Sequence, residues 1–209
     1  GGVADMEVLS QIPTPTVDDM RGIEYLILDA NGTVESVTKA AKNGLEAGCQ
    51  AIAFEPTSVA KAQLLCANSE FVQCLKYTFP NEDELIAMAE ALIDGEDKEE
   101  SCNSDDDEYT NIKDAASVLL SNMQPNAHVI VTLAERGVIL ASKTVGKSSP
   151  EFKHFKAEVV STVRSTNGAG DTLCGAFIHA MLQGATIEEA IRFGMKAAIL
   201  SLNYARGAI

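Results

Sequence analysis

Short β-type runs and helical patterns alternate along most of this chain, and the alternation restricts its fold more than any single residue does. β-type runs occur at Tyr25–Ala30, Ala51–Phe54, His128–Leu133, Val138–Ser142 and Glu158–Ser161. Between the first two, Val34, Val37, Ala41 and Leu45 keep helical spacing, and Gly48 follows where a helix would stop. Further helices are predicted over Val59–Leu75, Glu82–Ile93, Thr110–Asn122, Ala169–Leu182 and Thr186–Tyr204. Strand, helix, strand predicts parallel strands joined by crossover helices, hence a layered α/β sheet. Only Ala134–Gly137 separates the third run from the fourth, so those two are predicted to form a hairpin and make one edge antiparallel.

The chain has 209 residues, enough for one substantial core, and no apolar run approaches the roughly 20 residues of a membrane span. Its formal charge of −14 disfavours nucleic acid as a partner. The charge is uneven: Asp94–Glu108 holds nine acids and one lysine, −8 of the total, and reads as a solvated loop that the fold can spare. That run lacks the ligand spacing and turn glycine of a calcium loop. Five cysteines without a CxxC pair read as reduced thiols of a cytoplasmic protein. His128, His154 and His179 are scattered and carry no catalytic spacing.

Ligands of open α/β sheets bind beyond the carboxyl ends of the strands, and three features fall there. The first is Ser165–Phe177, STNGAGDTLCGAF, in which two glycines precede a helix and an aspartate sits on its first turn. Unpaired N–H groups and the helix dipole would cradle an anion there, and Asp171 could orient and deprotonate an attacking hydroxyl. From spacing alone, Asp171 is equally well a first-turn carboxylate with no chemistry. The second is Asn81 with Glu84, which fits both a helix capping box and a water-mediated magnesium site. The third is the turn at Gly137, either a plain glycine turn or a nucleotide wall.

Together, GAGD before a late helix, Asn-x-x-Glu after a short strand and the Thr-Leu-x-x-x-Gly hairpin resemble the ribokinase-like (PfkB-type) carbohydrate kinases, in order and over nearly the whole chain. Within the family, Asp5-Met6, Asp29-Ala30-Asn31, Phe54–Ser58 with Lys61-Ala62, and Gly194–Ala198 are most similar to the pseudouridine kinase subgroup. The resemblance implies an α/β/α layered fold using ATP and Mg2+. It implies Asp171 as catalytic base, the amides of Gly168, Ala169 and Gly170 as anion hole, and Asn81 and Glu84 as organisers of the metal. Thr132, Leu133, Gly137, Asn167, Ser201 and Asn203 would lie by the ATP. The reaction implied is γ-phosphate transfer to a nucleoside 5′-hydroxyl, with a small nucleoside or sugar as substrate, a homodimer through the lid and a fused glycosidase domain as possible partnerships, and neither nucleic acid nor membrane.

The chain departs from the family pattern in four places. Ser165 stands where many members have an aspartate beside a bound monovalent cation, and Ala134 replaces a usual glycine. The acidic run Asp94–Glu108 is long and charged for the family. Residues 1–12 resemble the last lid strand returning to the core, so 1–209 is expected to be the C-terminal nucleotide-binding part of a kinase, without the N-terminal strands and lid, and inactive alone. Three other readings compete. In a dinucleotide-binding oxidoreductase the glycines would follow the first strand. A non-catalytic nucleotide module could keep the GAG loop, and a ribokinase- or fructokinase-like sugar kinase would take a different acceptor.

Overall fold

A computed structural model describes residues 13–93, 108–158, 160 and 163–203. The chain divides into two compact units, residues 1–131 with 140–153, and residues 132–139 with 154–209. The expected return strand over 1–12 and most of the acidic run (94–107) lie outside the described residues.

Six described strands form one sheet in the order β1 (Tyr25–Asp29), β2 (Ala51–Glu55), β3 (Tyr77–Thr78), β4 (His128–Thr132), β5 (Val138–Ser142) and β6 (Glu151–Phe155). β1 to β4 are parallel, in registers that set Tyr25 opposite Ala51, Phe54 opposite Thr78 and Tyr77 opposite His128. The expected hairpin is present. Leu133 N donates to Gly137 O at 2.8 Å and Lys143 N donates to Ala127 O at 3.0 Å, a pairing that runs antiparallel.

α1 (Val34–Glu46) starts at Thr33, whose hydroxyl accepts from Ser36 N. It lies close on β1 and β2 because Gly44 has no side chain; a Cβ there would meet Leu26 and Ile52 at 2.9 and 3.0 Å. The helix predicted over 59–75 is two: α2 (Val59–Cys66) and α3 (Ser69–Val72). The break falls at Asn68, whose side chain accepts from Glu70 N and so competes with continued helix. α3 delivers Phe71 edge-on to Phe54, ring centroids 5.0 Å apart. α4 (Glu82–Glu90) packs against α2 and against α5 (Thr110–Asn122). Phe54, Phe71, Phe79, Leu85, Met88 and Leu119 are fully buried in this unit.

In the second unit α6 (Ala169–Leu182) and α7 (Ile187–Leu202) pack together. Their crossing is tight at Gly194, where a Cβ would lie 2.9 Å from Leu173 O. The strand expected over 158–161 is not found: Glu158 and Val160 are irregular, and Val159 and Ser161 lie outside the described residues. The edge strand is instead β6, whose sequence EFKHF is polar and largely exposed. No helix among the described residues is long and apolar enough to cross a membrane.

Candidate active site

Gly168 precedes α6 with φ +76°, a left-handed conformation that glycine adopts without strain. This turn aims the first amides of α6 outward. Among the described residues the N–H groups of Gly168 and Gly170 have no acceptor, and that of Ala169 reaches Thr166 O only at 3.4 Å. The next amide, Asp171 N, also has no acceptor among the described residues, so two of the three amides the sequence suggests are open, Ala169 N is weakly held, and Asp171 N adds a further donor. Thr172 closes the turn, its amide and hydroxyl both donating to Gly168 O at 2.9 and 2.8 Å.

Asp171 occupies the third position of its helix. Glu84 of α4 and Glu189 of α7 occupy the same position, and both reach back to the amide that precedes their helix: Asn81 N donates to Glu84 Oε2 at 3.0 Å, and Thr186 N donates to Glu189 Oε2 at 2.8 Å. Asp171 makes no such bond. It is one methylene shorter, it is exposed, and its carboxylate has no partner among the described residues. The Glu84 and Glu189 carboxylates are spent on capping, whereas that of Asp171 is left open to solvent beside the amides of its own turn.

Asn81 and Glu84, in the first unit, complete their capping box with Glu84 N donating to Asn81 Oδ1 at 2.9 Å. Glu84 is 7% exposed. Burial raises its carboxyl above the ordinary value, the Asn81 amide opposes the rise, and Asp83 adds to it. Among the described residues no group of three or more His, Cys, Asp or Glu could hold a metal directly. With one oxygen on Asn81 N and the other without a protein partner, Glu84 fits a magnesium ion only through intervening water.

The second unit brings several other predicted residues onto α7. Its last carbonyl, Leu202 O, accepts from Arg164 N at 2.8 Å and from Ser165 N at 3.3 Å, which fastens the loop before GAGD to the helix end. Asn167 N then donates to Ser165 Oγ at 3.2 Å. Ser201 is 1% exposed and its hydroxyl donates to Ala198 O at 2.7 Å, so it faces the core; Asn203 follows as the exposed C-cap. Arg192, also on α7, lies over the Phe155 ring at 5.1 Å. Backbone from Phe155 to Ala157 abuts Gly137: its φ is +98°, and a Cβ there would collide with Phe155 O. Leu133 is buried, Thr132 is partly exposed, and Ala134 takes φ +51° where its glycine counterpart would be unstrained. Sequence reasoning missed Arg164, because only the long-range bond to Leu202 marks it.

The histidines carry no catalytic arrangement. His154 Nε2 lies 2.7 Å from Arg136 O, and the His179 ring rests near Phe193. His128 adjoins a hydroxyl: its Nδ1 is 2.9 Å from Ser142 Oγ. Its ring is stacked on Tyr77 at the amino ends of the strands, away from the ligand-binding end of such sheets. Cys49, Cys66, Cys74 and Cys174 are buried and form no disulfide among the described residues.

Comparison with known proteins agrees with the fold. Pseudouridine kinase of Arabidopsis thaliana is 27% identical over 94% of this chain. The ribokinase of Thermotoga maritima superposes with a TM-score of 0.71 at 28% identity over 98% of the chain. An Arabidopsis thaliana ribokinase, solved with ribose and ATP, gives 0.68 at 22% identity over 92%. The chain spans 62%, 57% and 53% of their respective lengths. The fold is therefore ribokinase-like. The description "pfkB family carbohydrate kinase" matches residues 27–208, and the chain belongs to that family.

Proposed function

We propose that this chain is the nucleotide-binding part of an ATP-dependent kinase that phosphorylates the 5′-hydroxyl of a nucleoside, with pseudouridine as the acceptor. The observation that carries the reading is the uncommitted Asp171 carboxylate on a helix whose Gly168 and Gly170 amides are open. Phosphoryl transfer needs donors where charge sits on the transferring group and an acceptor for the proton of the attacking alcohol. The amides of Gly168, Ala169 and Gly170 supply the donors, and Asp171 orients the hydroxyl and takes its proton. Thr132, Leu133 through its backbone, Gly137, Asn167, Ser201 and Asn203 border the nucleotide. Asn81 and Glu84 would hold magnesium through water, where the ion supplies charge neutralisation at the phosphates. A cytoplasmic location, a homodimer formed through a lid and a fused glycosidase domain belong to the same reading.

A sugar acceptor is the second reading, because the Thermotoga ribokinase at 28% identity is as near as the pseudouridine kinase at 27%. In the full-length gene product, Asp171→Asn should lower turnover by about 10²–10⁴-fold, the usual contribution of a positioned proton acceptor. ATP affinity should stay the same or rise. Near-natural turnover in this variant would remove the catalytic assignment, and a preference for free ribose over pseudouridine would select the second reading.

A further inference from the structure

The family resemblance places a monovalent cation beside the loop that leads into GAGD, with an aspartate as its anionic ligand. The residues of this chain do not fit it. The aspartate is Ser165, and its hydroxyl oxygen is occupied as the acceptor for Asn167 N. No acid occurs between Glu158 and Asp171, and the single ionic side chain in that interval is Arg164, a cation. Arg164 is exposed and its guanidinium has no partner among the described residues.

What a cation would accomplish there is done another way. The last carbonyls of a helix are unsatisfied and carry its negative pole. Here Arg164 N and Ser165 N, consecutive amides of the loop, both donate to Leu202 O, the final carbonyl of α7. An ion bridging loop and helix would have to compete with two existing hydrogen bonds and with a fixed positive charge on the same residue. We infer that this chain fastens its anion loop to α7 by direct amide–carbonyl bonds, with Arg164 supplying the local positive charge, and that it binds neither potassium nor sodium there.

The inference takes the loop as the phosphate cradle of the proposed kinase, but its test does not depend on turnover. Thermal unfolding of the 209-residue chain would be followed in potassium, sodium and tetramethylammonium chloride at one ionic strength. The expected midpoints coincide, and calorimetric titration with potassium chloride gives no saturable heat. A midpoint raised selectively by potassium or sodium, or a saturable heat, would overturn the inference. The paired variant Arg164→Val with Ser165→Asp should acquire a potassium-selective rise. If that variant keeps its helical circular dichroism yet gains none, the assignment to these two residues is wrong; if it does not fold, the salt series on the natural chain still decides. ATP-analogue binding, read in the same samples, separates this result from failure of the kinase reading: absent nucleotide binding counts against the kinase, and ion selectivity counts against the inference.

Discussion

His128 shows how far a residue's surroundings can shift its chemistry. Burial against Tyr77, aided by the nearby Lys76 charge, lowers its pKa from an ordinary 6.5 to about 4. In the unfolded chain the imidazole takes up a proton near pH 6.5; in the folded chain it does so only near 4. Between those values the unfolded state binds more protons, so stability is full above pH 6.5 and falls as the pH drops toward 4. The loss is up to about 3 kcal/mol, each pH unit contributing about 1.4 kcal/mol. Urea unfolding from pH 7 to 4.5 should show this slope, and His128→Gln should flatten it; an unchanged slope would show that other groups set the acid limb. Thr78 offers a second residue-scale case. It is fully buried and its hydroxyl has no partner among the described residues, so Thr78→Val, which removes an unmet polar group at constant shape, should leave stability unchanged or raise it by about 1 kcal/mol. A clear loss in urea unfolding would reveal a partner for the hydroxyl.

Helices that begin alike in sequence diverge in the use they make of their third residue. Thr186 and Glu189 close a box in which each satisfies the other's backbone amide, while Gly168 and Asp171 at the same positions leave theirs open. Replacing Glu189 by alanine should therefore lower stability measurably, whereas Asp171→Ala should cost almost nothing in a paired denaturation experiment. Equal losses would mean that Asp171 is an ordinary cap after all. These contrasts mark what was legible. Five helices (α1, α4, α5, α6 and α7) and four strands were readable because each rests on local periodicity, and Gly168 of GAGD because a left-handed turn favours glycine. β6 escaped because Glu151–Phe155 lies on an exposed edge, where neither face must be apolar. The two-residue β3 is too short for any period, and the break between α2 and α3 depends on one side chain, Asn68. The bond from Leu202 to Arg164 joins residues 38 positions apart, and nothing local announces it.

At the scale of the whole molecule the dominant fact is charge. A net −14 on 209 residues opposes compaction through self-repulsion, and more than half of it lies in Asp94–Glu108. Added salt screens such repulsion over a Debye length of about 10 Å at 0.1 M, so the unfolding midpoint should rise by roughly 2–4 °C between low and physiological ionic strength, equivalent to about 1 kcal/mol for a chain of this size. The rise should follow ionic strength and not the identity of the cation, since the loop before α6 offers no carboxylate to select one. Deleting Asp94–Glu108 brings the formal charge to −6. Because self-repulsion grows faster than linearly with net charge, most of the salt response should disappear with the segment, while the midpoint at physiological salt stays where it was. Calorimetric melts of both proteins across a salt series test this. A salt response that survives deletion undiminished would place the repulsion elsewhere in the chain, and a midpoint lowered by several degrees would mean that the acidic run is packed against the fold.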